Sequence, residues 1–206
     1  MLNIFKRTQR RSSWNKGKFI GQKRPLKPKE IWAIRIRLQM NGRKWELALF
    51  NLALDSKLRA CDHTKIKVKD VFQSGQVVKR ATILQQKTQQ PVQFEITPQS
   101  RTAIFEWLRE SKLTAEDYLF PSRRSPHLST RQYARIVNRW VEEIGLDSRA
   151  YGTHSLRRTK ASLIYHRTKN LRAVQLLLGH TKLENTVRYL GIDIDDALEL
   201  AEKTEL

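Results

Sequence analysis

Apolar residues recur at helical spacing along much of the chain. Ile31, Ile34 and Leu38 lie on one face of the stretch KEIWAIRIRLQM, which follows a proline and ends shortly before a glycine. Spacings of three and four residues are typical of an amphipathic helix, and proline and glycine are common at its two ends. The sequence RKWELALFNLALD repeats the pattern and predicts a second helix that ends near Asp55.

The pattern changes after these two helices. Two short β-type runs, around residues 77–85 and 92–97, enclose a polar turn that contains Lys87. Two such runs joined by a short turn predict an antiparallel hairpin. From Pro98 onward the pattern is helical nearly to the end of the chain. The predicted fold class is therefore mainly α with a small antiparallel β-sheet (α+β).

One of the later helices has two distinct faces. Ser129 is predicted to cap the stretch TRQYARIVNRWVEEIG. Within that stretch Arg131, Arg135 and Arg139 recur every four residues, and the opposite side is apolar. A helix of this kind packs its apolar face on the core and presents its basic face to DNA phosphates or to solvent alone. We expect the three arginines to contact DNA.

The charge of the chain narrows the class of partner. The 206 residues include 40 Lys and Arg against 20 Asp and Glu, which gives a formal net charge of +20 and a pI near 10.5. A domain this basic is typical of proteins that bind a polyanion, and nucleic acid is the first candidate. The apolar content of 39% excludes a wholly disordered chain.

Other broad classes are excluded by what the sequence lacks. Cys61 is the only cysteine, so neither an internal disulfide nor a paired zinc site is expected. No apolar run reaches the roughly 18 residues that a membrane span needs, and the N-terminus does not resemble a secretory signal. We expect a soluble cytoplasmic protein, associated with the bacterial nucleoid, that requires no membrane, metal or cofactor.

The two ends of the chain carry opposite charge. Residues 1–30 hold ten Lys or Arg and one acid, whereas residues 191–206 hold six acids and one Lys. We interpret residues 1–28 as a flexible basic arm in which Arg10 and Arg11 contact DNA, although such an arm can also serve only solubility. The acidic segment, residues 191–206, is expected to dock on protein, either in cis or on a neighbouring protomer.

Four separate stretches supply residues that together suit phosphodiester chemistry: SKLRACD, QQKTQQ, THSLRRTKAS and LLLGHTKLENTVRYL. The candidate catalytic residues are Arg59, Lys87, His154, Arg157, His180 and Tyr189. Arginines can clamp phosphate oxygens, tyrosine can attack phosphorus once a histidine accepts its proton, and lysine can protonate the leaving alkoxide. The set contains no clustered carboxylates, which argues against two-metal chemistry and favours a covalent phosphotyrosine route.

These motifs resemble the signature of the tyrosine recombinase and phage integrase family, which shares its catalytic-domain design with type IB topoisomerases. In that family an H-x-x-R motif precedes L-G-H or L-G-W, and the nucleophilic tyrosine follows nine residues later. Here His154 and Arg157 are three residues apart, and His180 and Tyr189 are nine residues apart.

Two further matches extend the resemblance. The family's earlier arginine lies in a turn written roughly T-G-L-R-x-x-E, which SKLRACD matches at Arg59 with Lys57 in place of the usual glycine. A lysine on the β2–β3 hairpin of the family matches Lys87. The resemblance covers about residues 29–190, which would form the catalytic domain. Larger members carry a helical core-binding domain ahead of it, where this sequence shows only its basic arm, as in the short single-domain recombinases.

The resemblance implies a role for each catalytic candidate. Arg59 and Arg157 would hold the scissile phosphate, and Tyr189 would attack it to form a 3′-phosphotyrosyl bond. Lys87 would protonate the leaving 5′-hydroxyl, and the two histidines would handle protons and hydrogen-bond the phosphate. A second 5′-hydroxyl could then religate the strand without metal or ATP. Four such transfers would exchange two duplexes within a tetramer on DNA, whereas the free protein can be a monomer.

The leading hypothesis is therefore a site-specific DNA recombinase that acts on double-stranded DNA as a homo-oligomer. Arg158, beside the H-x-x-R motif, is expected to contact phosphate.

Two alternatives to the recombinase hypothesis stay open. The stretch LRAVQLLLGHTKLENTVRYL can also be read as a helix-turn-helix, which predicts a non-catalytic DNA-binding regulator. The same chemistry could also serve a type IB topoisomerase-like enzyme that relaxes supercoils.

Overall fold

The structure is a computed structural model and describes residues 22–191 together with residue 202. Most of the basic arm, with the predicted DNA contacts Arg10 and Arg11, lies outside the described residues, as does nearly all of the acidic segment. No helix in this described portion is long and apolar enough to cross a membrane.

Helices dominate the described residues, and the strands form two small antiparallel pairs. The helices are α1 (Pro28–Met40), α2 (Lys44–Ser56), α3 (Ala60–His63), α4 (Val68–Val71), α5 (Pro98–Ser111), α6 (Thr130–Glu143), α7 (Thr153–Thr168), α8 (Leu171–Leu178) and α9 (Leu183–Leu190). The strands are β1 (Phe72–Gln73), β2 (Gln76–Val77), β3 (Arg80–Leu84) and β4 (Pro91–Glu95). The predicted fold class, mainly α with a small antiparallel β-sheet, is confirmed.

The two helices predicted before the hairpin and the capped basic helix are confirmed as α1, α2 and α6. Helix α1 begins at Pro28, and the chain turns away at Gly42, where φ is +61°. At the start of α6 the hydroxyl of Ser129 accepts the backbone N–H of Gln132 at 3.1 Å, and the Gln132 side chain accepts the backbone N–H of Ser129 at 2.9 Å. This reciprocal pair satisfies two donors that a helix start leaves open.

The hairpin is shorter than the sequence pattern predicts. Val77, which the pattern assigns to the first hairpin strand, belongs instead to the separate pair of β1 and β2. Ser74 and Gly75 adopt φ of +50° and +77°, and this tight turn folds β2 back on β1. The hairpin itself is β3 paired with β4, with Leu84 opposite Pro91 next to the connecting turn.

The helical pattern also stops for longer than predicted between α5 and α6. Residues 112–129 contain turns, bends and an isolated bridge between Lys67 and Tyr118. Pro121 and Pro126 lie within this stretch. Proline has no N–H to donate within a helix, which explains why the stretch between them does not form one.

Helix α2 is the centre of the fold. All of its residues from Glu46 to Ser56 are buried, and both α5 and α7 pack against it. Phe50 of α2 meets Trp140 of α6 edge-on, with ring centroids 5.4 Å apart. Because α2 is enclosed by neighbouring helices, its C-terminal end is a rigid starting point for the residues that follow it.

Candidate active site

Arg59 is positioned by a left-handed turn after α2. Lys57 stands where the family pattern has glycine and adopts φ of +54° and ψ of +23°. This is the left-handed conformation that glycine adopts without strain. Lys57 adopts it here, so the turn forms with lysine in place of glycine. Arg59 follows in an extended conformation at the start of α3, and its Nη1 donates to Oε1 of Gln85 at the end of β3.

Helix α7 carries His154 in its first turn and two arginines in the next. Arg157 is 3% exposed, and its Nη2 donates to the carbonyl oxygen of Leu178 at 2.8 Å. Arg158 is also buried, and its Nη1 donates to the carbonyl oxygen of Lys23 at 2.8 Å. His154 is exposed. Neutral backbone oxygens therefore hold both guanidiniums of this helix.

The turn between α8 and α9 lies against the hairpin because of Gly179. This glycine has φ of +64°, and a Cβ on it would lie only 2.5 Å from Cγ2 of Val92 on β4. A larger residue would collide with the Val92 side chain, so the glycine of the L-G-H motif permits the close approach. His180 follows directly, and its Nδ1 lies 3.1 Å from the hydroxyl oxygen of Thr186 on α9.

Tyr189 on α9 lies against both guanidiniums of α7. The Cζ atoms of Arg157 and Arg158 are 5.8 Å and 5.5 Å from the centroid of its ring. The ring of His180 packs edge-on against Tyr189, with centroids 5.4 Å apart and planes at 84°. The hydroxyl oxygen of Tyr189 is buried. Together with Arg59, whose charge also acts on Tyr189, these residues form what we call the arginine–tyrosine cluster.

The cluster shifts the pKa values of its titratable residues. Burial raises the pKa of Tyr189 to about 12, against the opposing effect of the guanidiniums. Burial lowers the pKa of His180 to about 4, and the positive charges of Arg157 and Arg59 act in the same direction. His154 is only partly removed from water, and this partial desolvation together with the positive charges of the neighbouring arginines lowers its pKa. His180 is therefore neutral at pH 7 and able to accept a proton.

In the part of the chain that the structure describes, no carboxylate forms an ion pair with the cluster. Between residues 22 and 191, no salt bridge joins its three arginines to an aspartate or glutamate. Burial lowers the pKa of Arg157, and the opposing effects of Tyr189 and, least, of Asp62 compensate only in part. Within the same residues no group of three or more His, Cys, Asp or Glu could hold a metal ion. The arrangement suits an anion such as phosphate.

Lys87 is exposed in the turn between β3 and β4. A chain of hydrogen bonds joins this turn to the cluster, because Oε1 of Gln85 accepts from both Arg59 and Thr88. The structure thus brings five of the six candidates near one another and connects the sixth through the hairpin.

The predicted DNA contacts differ in their placement. Arg131 and Arg135 are exposed on α6. Arg139 is exposed as well, and it also forms an ion pair with Glu46 of α2, with 2.7 Å between Nη2 and Oε1. The contact of these three arginines with DNA stays a prediction. Arg158, also expected at phosphate, is buried in the arginine–tyrosine cluster.

The sequence pattern does not single out Gln85, which contacts Arg59, nor the inward position of Arg158. Gln85 stands in the polar run QQKTQQ, where every glutamine looks alike. One signal was present, since alternate residues of a strand share a face. Gln85 follows Ile83 by two residues and Ala81 by four, so it is expected on the same face of the strand, and that face points to the protein interior.

Comparisons with known proteins agree with this geometry. Residues 26–194 match the phage integrase family over most of the chain. The chain belongs to the phage integrase family. The chain is 32% identical over 157 residues to the probable integrase/recombinase YoeC of Bacillus subtilis (strain 168). The aligned residues make up 76% of this chain and 82% of YoeC. The family assignment made from the motifs is confirmed.

Other relatives are longer than this chain. Identity to tyrosine recombinase XerC of Neisseria gonorrhoeae is 30% over 155 residues, 74% of this chain and about half (49%) of XerC. XerA recombinase superposes with a TM-score of 0.71 at 19% identity, over 87% of this chain and 64% of XerA. XerH site-specific recombinase bound to its difH substrate gives a TM-score of 0.70 at 22% identity, over 87% of this chain and 54% of XerH. The fold is thus that of tyrosine recombinases, and neither the regulator nor the topoisomerase alternative is favoured.

Proposed function

We propose that this chain is the catalytic part of a site-specific DNA recombinase that cleaves and rejoins DNA through a 3′-phosphotyrosyl bond. The arginine–tyrosine cluster carries this proposal, because the hydroxyl of Tyr189 is buried beside Arg157 and its ring packs on a neutral histidine. A tyrosine in this position can attack a phosphodiester whose developing charge the guanidiniums stabilise. DNA is the proposed substrate, as it is for XerH on difH.

The cleavage step assigns one role to each charged group. The oxygen of Tyr189 bonds to phosphorus while the bond from phosphorus to the 5′ oxygen breaks. Negative charge grows on the two non-bridging oxygens, and we assign Arg59 and Arg157 to that charge. We assign to Lys87 the proton that the departing 5′ oxygen takes up, since this lysine stands exposed on the hairpin turn.

The proton of Tyr189 also needs an acceptor. With a pKa of about 12, Tyr189 is almost entirely protonated at neutral pH, so a base has to take its proton as the new bond forms. His180 is neutral, because its pKa is about 4, and its ring is in edge contact with Tyr189. A bound phosphate brings negative charge that raises the pKa of His180 and makes it a better acceptor. His154 is assigned a hydrogen bond to the phosphate.

Rejoining is the reverse reaction with a different 5′-hydroxyl, so the proposed cycle uses neither metal nor ATP. Four such transfers within a tetramer would exchange two duplexes. Residues 29–190 are proposed as the catalytic domain, and the basic arm with Arg10 and Arg11 is proposed to lie on DNA. Arg131, Arg135 and Arg139 are further proposed contacts with the phosphate backbone, supported by their exposure on α6.

Covalent trapping tests the proposed function. The probes are nicked duplexes tiled across the DNA on either side of the protein's own gene, so that a short 5′-hydroxyl strand is lost after cleavage and the adduct accumulates. Wild type is expected to form an adduct that survives denaturation. Tyr189→Phe is expected to abolish the adduct and leave DNA binding largely intact, since only the nucleophilic oxygen is removed.

The matched control is Tyr118→Phe, which removes a hydroxyl from a tyrosine that packs on His127 outside the cluster. It is expected to form adduct as wild type does. The absence of adduct from wild type on every duplex would contradict the proposed function, and so would an adduct that persists in Tyr189→Phe.

We further propose that the acidic segment, residues 191–206, docks on a neighbouring protomer. Six acids and one lysine give it a charge opposite to that of the rest of the chain, and its sequence includes the apolar residues Ile194 and Leu198 four positions apart. Truncation after Gly191 is expected to reduce higher-order complexes on DNA in a native gel shift while the melting temperature stays unchanged. Unchanged assembly would contradict docking in trans.

A further inference from the structure

Gln85 is a fully buried polar side chain to which the proposed reaction assigns no role. It lies directly after β3 and is 0% exposed. Its Oε1 accepts hydrogen bonds from Nη1 of Arg59 and from the hydroxyl of Thr88, the latter at 3.0 Å. A guanidinium can only donate, so the amide atom that faces Arg59 has to be the oxygen. One acceptor therefore serves a candidate phosphate ligand and a residue of the hairpin turn.

The backbone of Gln85 closes the turn that carries Lys87. The N–H of Gln85 donates to the carbonyl oxygen of Gln90 at 3.0 Å, and its carbonyl oxygen accepts the N–H of Gln89 at 2.8 Å. With the bond from Thr88, three hydrogen bonds of one residue define this turn. The position of Lys87 and the orientation of the nearby guanidinium thus depend on the same side chain and backbone.

The amide lies beside the turn before His180. A Cβ on Gly179 would lie 3.2 Å from Nε2 and 3.4 Å from Oε1 of Gln85. These distances are at or below ordinary van der Waals contact, so glycine at this position leaves room for the amide that faces Arg59.

The neutrality of the amide is as important as its position. A carboxylate at this place would pair with the guanidinium of Arg59 and compete with phosphate for it. An amide orients the guanidinium and leaves its full positive charge to the anion. The two arginines of α7 are held in the same way, since the partners of Arg157 and Arg158 are the backbone carbonyl oxygens of Leu178 and Lys23.

We propose that Gln85 is a positioning residue whose amide couples Arg59 to the turn of Lys87, so that phosphate stabilisation and leaving-group protonation are aligned together. This inference rests on the proposed function, because it concerns the two residues assigned to those steps. Two separable defects follow. Loss of the acceptor releases the guanidinium and the turn together, whereas a carboxylate keeps the turn closed but neutralises the guanidinium.

Two substitutions and two substrates separate these defects. Gln85→Met removes the acceptor at similar volume, and Gln85→Glu replaces the neutral acceptor by a charged one of the same shape. Each variant is measured on the nicked duplex that traps wild type and on the same duplex with sulfur in place of the bridging 5′ oxygen. A thiolate can leave without a proton, so a defect in proton delivery disappears on the sulfur substrate, while a defect in phosphate stabilisation persists.

Gln85→Met is expected to slow adduct formation at saturating protein by about 30-fold on the oxygen substrate and by about threefold on the sulfur substrate. Gln85→Glu is expected to slow both by about tenfold, because only the cation is affected. The ratio of the two rates within one preparation does not depend on the folded fraction. Gln93→Met and Gln93→Glu are matched controls on the exposed face of β4 and are expected to react at wild-type rates.

The outcomes keep this inference separate from the proposed function. Equal slowing of Gln85→Met on both substrates would overturn the coupling to Lys87, and wild-type rates in both Gln85 variants would overturn the inference as a whole. Slowing of the Gln93 variants by similar factors would also overturn it, since the effect would then belong to the hairpin in general. If wild type forms no adduct on any duplex, the proposed function falls and this inference falls with it.

Discussion

Two clusters of charged side chains share three parts of the chain, namely the end of α2 with the residues after it, the β3–β4 hairpin, and α7. The arginine–tyrosine cluster also includes His180 of the α8–α9 turn and Tyr189 of α9. The arginine–tyrosine cluster takes Arg59 from the first part and Arg157 from the third, and Gln85 of the hairpin holds it in place. The other cluster, which we call the Asp55 cluster, consists of Asp55, Lys57, Glu95 and Lys160.

The two clusters differ in the partners of their cations. In the Asp55 cluster, Nζ of Lys160 lies 2.8 Å from Oδ1 of Asp55 and also pairs with Glu95. Nζ of Lys57 lies 3.3 Å from Oε2 of Glu95. Asp55 additionally accepts the N–H and the hydroxyl of Thr97, each at 2.8 Å. In the arginine–tyrosine cluster the corresponding partners are one amide and two backbone carbonyls.

The same elements therefore support stability in one cluster and are suited to anion binding in the other. Cations that meet carboxylates have their charge satisfied within the protein and offer little to a ligand. Cations held by neutral acceptors are oriented but keep their charge for an anion that arrives later. The partners of the cations, more than their number, locate the candidate phosphate site in this basic chain.

The largest predicted effect is the loss of adduct formation when an arginine of the arginine–tyrosine cluster is replaced. Arg157→Met removes a cation from the reacting phosphate and is expected to slow adduct formation by about 10³-fold. Its effect on the free energy of unfolding is expected to stay within about 1 kcal/mol, because burial lowers the pKa of Arg157 and the folded state therefore does not favour its charge. Trapping on the nicked duplex and urea denaturation measure the two effects.

The control for this substitution is Arg37→Met on the exposed face of α1, a residue with no proposed contact to DNA. It removes the same charge from an exposed position and is expected to leave both the trapping rate at saturating protein and the stability near wild type. A loss of several kcal/mol in Arg157→Met would contradict the comparison, since Arg157 would then belong with the structural ion pairs.

The next largest predicted effect is a difference between the two lysines of the Asp55 cluster in their contribution to the free energy of unfolding. Burial lowers the pKa of Lys57, and Glu95 compensates only in part. Burial also acts on Lys160, but the carboxylates of Asp55 and Glu95 outweigh it and raise its pKa above 10.5. A raised pKa means that the folded state favours the ammonium, and this stabilisation is present at neutral pH and lost only as the pH rises through the folded pKa.

Lys160→Met is therefore expected to lower the free energy of unfolding at pH 7 by about 2 kcal/mol, and Lys57→Met by less than about 0.5 kcal/mol. Both substitutions keep a long unbranched side chain, so each serves as the control for the other in urea denaturation. Equal losses would show that burial rather than the carboxylate partner decides the contribution of a lysine in this cluster.

Much of the candidate site could be predicted from the sequence because its motifs encode local geometry. The three-residue spacing of His154 and Arg157 places them about one turn apart on any helix. The nine residues from His180 to Tyr189 span a short turn and most of α9, which returns the tyrosine ring to the histidine. Relations of this kind depend on helix geometry alone.

Contacts between distant elements could not be predicted in the same way. Gln85 meets Arg59 across 26 residues, and Lys160 meets Asp55 across 105 residues. Arg139 has the same spacing as the other arginines of α6 and differs from them only because a carboxylate of α2 lies beside it. Tertiary packing chooses these partners, and a single sequence does not show it.

The smallest predicted effect is a change in the pKa of one of two histidines. The two have similar pKa values for different reasons. His63 is buried between the rings of Phe120 and Tyr133, with centroid distances of 5.6 Å and 5.4 Å, and burial lowers its pKa to about 4. Burial also lowers the pKa of His180 to about 4, but there the positive charges of the arginines add to the effect. Only the second cause can be cancelled by an anion.

Binding of DNA is expected to raise the pKa of His180 by about one unit and to leave that of His63 unchanged, because a phosphate offsets the guanidinium charges but does not reach the core. NMR titration of the histidine ring protons in Tyr189→Phe, free and bound to the nicked duplex that traps wild type, measures both values without cleavage. At about pH 5.5 His180 of the free protein should be neutral, and bound DNA should increase its protonated fraction. If His63 moved equally, the change would be a general response to binding; if His180 did not move, the guanidiniums would not be the groups that hold the phosphate.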